Sequence, residues 1–132
     1  MGDAEAGRAA ADRFFNALLE GDLGQMQAAC AAGSVLWINV TEKERPLEAS
    51  LPGFASLRGR MPDLRLEDVR RRGVPGGFIE QHVLTGTTPS DDRLRVVGCF
   101  VGTIEAGLIV RLEEYVDSAQ AGALSALLKG GS

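Results

Sequence analysis

The stretch Gly107-Leu-Ile-Val-Arg-Leu-Glu-Glu-Tyr-Val-Asp117 limits the folds open to this chain more than any other. Side chains alternate faces along a strand, so Leu108, Val110, Leu112, Glu114 and Val116 share one face. Ile109, Arg111, Glu113, Tyr115 and Asp117 share the other. The segment reads as one long half-buried strand that runs into a helix start. A carboxylate, Glu114, then falls in the middle of the apolar face. Either it meets a cation such as Arg95 or lies at an open rim, or it is held in an apolar pocket. In a pocket, desolvation raises its pKa towards neutrality and makes it a general acid or base.

The rest of the chain supplies the partners for that strand. Residues 4–20 have helical spacing, with Ala11, Phe14, Phe15, Leu18 and Leu19 on one stripe and Gly21 as the stop. Asp22 and Gln25 form a capping box for a second helix, whose stripe is Leu23, Met26 and Cys30 and whose end is Gly33. Ser34–Val40 is a first strand, with Val35, Trp37 and Asn39 on one face. Residues 41–48 read as a loop or poor strand. Ser50 caps a third helix with Pro52 in its first turn, an apolar face of Phe54, Leu57 and Met61, and Pro62 as its stop. Strands follow at 63–72 (with a bulge before Val69), 78–87, 94–103 and 108–117, separated by turns at 75–77, 88–92 and 105–107. Asp117 or Ser118 caps a terminal helix with Leu124, Leu127 and Leu128 on one side. Helices and strands are segregated, which makes the class α+β. A strongly bent antiparallel sheet with helices packed over its concave face is a cone with an open mouth, a natural small-molecule pocket.

Composition narrows the partners. The 132 residues form one domain, 1–132, with a formal net charge of −4, which disfavours nucleic acid. The one basic run, Arg70-Arg71-Arg72, reads as a solvated strand face offset by Glu67 and Asp68, with an anion or partner contact as the alternative. Cys30 and Cys99 read as buried free thiols, and a single histidine with no ligand spacing argues against a metal site. No cofactor motif is present. With no secretory signal and no membrane-length apolar run, a cytoplasmic protein is expected.

Four segments in this order carry a resemblance: Phe14-Phe-Asn-Ala-Leu-Leu-Glu-Gly-Asp-Leu23, Val35-Leu-Trp-Ile-Asn39, Phe78-Ile-Glu-Gln-His-Val-Leu-Thr-Gly-Thr87 and Ile109–Asp117. The chain resembles the SnoaL-like, or nuclear transport factor 2-like, superfamily over nearly its whole length. This cystatin-like cone fold includes polyketide cyclases, ketosteroid isomerases and limonene-type epoxide hydrolases. The resemblance implies a homodimer that pairs through its exposed sheet face. Against ketosteroid isomerases, Asn39 stands at the base, Phe14 at the tyrosine and Val96 at the acid, and none of these side chains performs the assigned task. The likeness to limonene-type epoxide hydrolases is nearer. The last-strand aspartate of those enzymes falls on Glu114, and their water-holding tyrosine and asparagine fall on Trp37 and Asn39. Their Arg-x-Asp pair falls on Gln81 and Val83.

The expected site follows. Glu114 is the acid or base, and Asn39 and Gln81 orient a water or a ligand carbonyl, unless these amides satisfy buried backbone groups instead. Trp37, Phe14, Leu57, Met61, Val83, Thr85, Val96, Gly98, Leu112 and Val116 form an apolar wall, with Gly98 leaving room. Such a wall suits a hydrophobic molecule of terpenoid, polyketide or steroid type better than a sugar phosphate. With Gln81 and Val83 facing the pocket, His82 faces away, alongside Glu80 and Leu84, on the side open to a dimer contact. A one-residue bulge before His82 would instead turn Glu80 and His82 inward as an acid–base pair. Three functions are open: an isomerase, cyclase or hydrolase acting by acid–base chemistry; a ligand-binding or dimerisation module; or an epoxide hydrolase with a rewired acid system.

Overall fold

The computed structural model describes residues 3–130. The amphipathic first segment forms α1 (Asp3–Glu20), which buries Ala10, Ala11, Phe14, Phe15 and Leu18. Its backbone crosses the sheet closely enough that only glycine fits. A Cβ at Gly7 would collide with the carbonyl of Gly77, and one at Gly73 with that of Ala4. Gly73→Ala is therefore expected to cost more than the roughly 1–3 kcal/mol of ordinary overpacking, since a backbone carbonyl cannot swing aside. An unchanged urea midpoint would show that the helix moves away freely.

Asp22 caps α2 (Leu23–Ala28) by accepting from the Gln25 backbone N–H at 3.0 Å. The helix ends earlier than its apolar stripe suggests. Cys30 already begins β1 (Cys30–Ile38), and Gly33 lies within that strand at φ 77° rather than closing the helix. The polar 41–48 segment contains the short β2 (Lys43–Pro46) and a 3-10 turn, Leu47–Ala49. α3 (Leu51–Arg60) carries Pro52 in its first turn, while the Ser50 side chain makes no capping bond. The strand meander is β3 (Arg65–Val74), β4 (Gly77–Thr87), β5 (Arg93–Glu105) and β6 (Leu108–Val116), and α4 (Ser118–Gly130) follows. Asp117 caps α4 through the Gln120 N–H at 3.0 Å.

The six strands form one curled, unclosed sheet in the order β2-β1-β6-β5-β4-β3. The sheet is antiparallel except where β1 pairs with β6 in parallel, with Ile38 opposite Glu114. The α+β cone is thus present, with helices on the concave face and the core between α1, α3 and the inner sides of the strands.

Two irregularities decide which side chains point inward. In β3 the register slips between Glu67 and Arg70, with Asp68 at φ 51°. Past that bulge Arg71 points into the cone beside Glu80, and its side chain is only 10% exposed. The basic run is therefore not a uniformly solvated face. A second slip between Thr103 and Ile104 places Ile109 fully in the core, so Leu108 and Val110 are less buried than simple alternation implies. Beyond it Leu112, Glu114 and Val116 are buried as the alternation requires. No helix among the described residues is long and apolar enough to cross a membrane. Cys30 and Cys99 are free and half-buried.

Candidate functional site

The inner sheet face and the helices over it enclose a cavity of about 490 Å³ at the cone mouth. Leu36, Ile38 and Val116 form its sheet wall, and Phe54, Leu124 and Leu128 close it from α3 and α4. α4 is fastened at both ends. Gln120 Oε1 accepts from the Val97 backbone N–H at 2.8 Å, and Arg60 donates to the Leu127 and Leu128 carbonyls at 3.3 and 3.4 Å.

Glu114 projects from β6 into this cavity and is 8% exposed. Burial pushes its pKa up to about 7, and the charge of Arg45 opposes that rise only in part. Arg45 lies on β2 opposite Leu36 and lines the same cavity from its exposed rim. The cavity therefore joins an apolar wall, a carboxyl that changes protonation near neutrality and a cation at the entrance.

A second polar group lies deeper on the same face. β4 is unbroken in its pairing with β5, and its large apolar residues Phe78 and Leu84 must enter the core. The pleat then carries Glu80 and His82 inward with them. This corrects the expected phase. His82 does not face away, and no bulge in β4 is needed to turn it in. Its imidazole packs against Phe15 and Phe100, with ring centroids 5.4 and 5.5 Å away. His82 Nδ1 lies 2.7 Å from Glu80 Oε2. Arg71 donates to both Glu80 oxygens, at 2.6 and 3.0 Å, and to Asp12 of α1 at 3.0 Å. Burial raises the Glu80 pKa, but the bonds from His82 and Arg71 outweigh it and hold the carboxyl below its usual range. Glu80 is thus an anchored carboxylate.

Gln81 and Val83 point to the outer face, as do Trp37 and Asn39. Trp37 packs at a tilt against Tyr115 there, with centroids 5.4 Å apart. The Asn39 amide donates to the Val116 carbonyl at 3.1 Å and accepts from the Val116 N–H at 2.9 Å, extending the β1–β6 ladder by one side chain. Asn39, Gln81 and Val83 line an open depression of about 620 Å³ on the side of the sheet away from Glu114.

Of the expected wall, Val116 lines the Glu114 cavity. Phe14, Leu57, Met61, Val96 and Leu112 are core residues buried behind it. Thr85 is buried with its hydroxyl bonded to Glu67 at 2.8 Å. Gly98 pairs with Val116 in the register of β5 and β6 and, with His82, lines the other depression rather than the Glu114 cavity. Sequence reasoning missed Arg45 and the α4 side chains. An alternation of Lys43 and Arg45 was visible, but its direction depends on the β1–β2 register.

A family model described as a SnoaL-like domain matches residues 11–112. The chain belongs to the SnoaL-like domain family. The match ends before Glu114, so membership rests on the rest of the cone and not on this carboxyl. An epoxide hydrolase of the limonene type from M. tuberculosis superimposes with a TM-score of 0.71 at 18% identity, covering 98% of each chain. A proposed polyketide cyclase from Xanthomonas campestris gives a TM-score of 0.74 at 16% identity, over 93% of this chain and 98% of the other. A proposed ketosteroid isomerase from Kribbella flavida gives 0.67 at 20% identity, over 89% and 82%. At these identities the likeness establishes the fold. No curated protein sequence matches the chain.

Proposed function

We propose that this SnoaL-like protein is a small-molecule enzyme that performs acid–base chemistry on a hydrophobic ligand in the Glu114 cavity. The observation that carries the reading is a desolvated carboxyl in an apolar cavity, without a hydrogen-bond partner among the described residues and with its pKa raised to about 7. A group that titrates near the working pH has both a usable proton and a usable base form. Arg45 at the rim suits a ligand with an anionic or carbonyl end. Its structural neighbours include proteins named as an isomerase, a cyclase and an epoxide hydrolase, which fit the same reaction class. Val97 and Tyr115, exposed on the outer sheet face, support pairing of two copies there.

Nitrobenzisoxazole tests this reading, because its ring opening needs only a base that takes one C–H proton. Turnover is expected to rise with pH through about 7, the value to which Glu114 is raised. Glu114→Gln is expected to lower it by about 100- to 10,000-fold. Equal rates in the two proteins would remove Glu114 from the chemistry.

A second reading, a ligand-binding module of the same shape, has one observation in its favour. Asn39 is engaged with the backbone and Gln81 lies on the outer face, so neither amide joins Glu114 in the cavity. A ligand that binds with no Glu114-dependent turnover would select it.

A further inference from the structure

The charges around the Glu114 cavity are few and well separated. From β1, α3 and α4 come apolar side chains and the hydroxyls of Thr41, Ser50, Ser118 and Ser125, none of them ionisable. Two ionisable groups remain among the lining residues, Glu114 from β6 and Arg45 from β2. Glu114 is buried and Arg45 is exposed. The cavity therefore has an acid at its inner end and a permanent cation at its mouth.

Arg45 has no acid on the protein to hold. Among the described residues its side chain makes no ion pair and no hydrogen bond, and the neighbouring Glu44 is on the opposite face of β2, engaged by Arg111. The register sets Arg45 opposite Leu36 and Glu114 opposite Ile38. Two strand spacings across and two residues along put the two backbones roughly 12 Å apart. Leu36 and Ile38 of β1 form the apolar floor between them, and Phe54 and Leu128 lie over it.

That arrangement specifies the charge of its ligand. A carboxylate matches the guanidinium fork. A second negative charge on the same ligand would find no cation among the lining residues and would be opposed by Glu114. The two ends of the cavity are also coupled. The Arg45 charge is what opposes the rise in the Glu114 pKa. A carboxylate seated on Arg45 cancels that charge, so Glu114 then holds its proton more firmly.

We propose that Arg45 selects the ligand of this cavity: an apolar monocarboxylate seats its head on the guanidinium, lays its body over Leu36 and Ile38, and binds with uptake of a proton at Glu114. This rests on the acid–base reading of the cavity given above and sharpens it. Toward a ligand of this class Glu114 begins as an acid, and it is left as a base only for neutral molecules.

Naphthylacetate and its neutral amide, naphthylacetamide, share one apolar body and differ in the charge of the head, and calorimetry follows the binding of both. At about pH 6, below the Glu114 value of about 7, the carboxylate is expected to bind about fivefold more tightly, between the worth of an exposed ion pair and that of a charge-assisted hydrogen bond. Arg45→Gln should abolish this preference and leave the affinity for the amide unchanged, which also shows that the variant is folded. At about pH 8 the native protein should take up roughly half a proton per naphthylacetate bound, read from the difference in heat between phosphate and Tris buffers, and Glu114→Gln should take up none. Equal affinity for the two compounds, a preference that survives Arg45→Gln, or binding at about pH 8 without proton uptake would overturn the proposal. Failure of both compounds to bind, beside Glu114-dependent turnover of nitrobenzisoxazole, would end the proposal and leave the acid–base reading standing. A carboxylate preference that Arg45→Gln removes, beside turnover indifferent to Glu114→Gln, would do the reverse.

Discussion

Arg71→Ala is expected to destabilise the protein by about 3–5 kcal/mol, the range for leaving one charge of a buried pair unpaired. The variant strands Glu80, which is wholly buried, with only His82 Nδ1 for company. It also removes the bond to Asp12 and the guanidinium 5.3 Å from the Phe15 ring. Replacing both partners by apolar residues of similar volume, Arg71→Met with Glu80→Leu, should cost much less, because no charge is then left without a partner. Urea midpoints of the single and double variants decide the matter. A single-variant loss below about 1 kcal/mol would mean the pair behaves like an exposed one. The pair also has a pH signature. Glu80 is held below its ordinary 4.5, so its contribution is complete above that value and is lost as pH falls through the lower folded value.

Glu114→Gln should act in the opposite direction on stability. The folded carboxyl is raised from 4.5 to about 7. Below 4.5 it is protonated in both folded and unfolded chains, and the variant and the natural protein should be equally stable. Between 4.5 and about 7 the unfolded chain has released the proton and the folded chain has not, so the natural protein loses stability as pH rises. Above 7 the difference is complete, on the order of 3 kcal/mol in favour of Glu114→Gln at 1.36 kcal/mol per pH unit. Paired urea titrations at acidic and alkaline pH check this. The same substitution is the one expected to remove turnover, so a gain in stability would accompany the loss of activity. A carboxyl kept in an apolar wall at such a cost is the expected mark of a site selected for chemistry rather than for folding.

Periodicity made most elements of this chain legible. Phe14, Phe15 and Leu18 mark α1, and the alternations from Phe78, Leu94 and Leu108 mark three long strands. Glu114 stood out because it shares a face with Leu112 and Val116, and all three are buried. The phase of the other strands was harder to read. In Ser34–Val40 both faces carry large apolar side chains, so alternation alone does not say whether Leu36 or Trp37 faces inward. In β4 the choice lay between Glu80 with His82 and Gln81 with Val83. A salt-bridged carboxylate looks like a surface residue until its partner is known, and Arg71 reaches it only because the bulge near Asp68 reverses the parity of β3. The likeness to epoxide hydrolases implies Trp37, Asn39, Gln81 and Val83 inward, where the structure has them outward, while its Glu114 position does face inward: a likeness in order does not fix which face is buried. Arg45 and α4 close the cavity through tertiary placement, and no local pattern announces that.

The most direct measurement is the carboxyl carbon shift of Glu114 followed by NMR across pH, assigned by its loss in Glu114→Gln. The desolvated wall position gives a midpoint near 7. A midpoint at the ordinary 4.5 would place the carboxyl in water and contradict the acid–base role proposed for it.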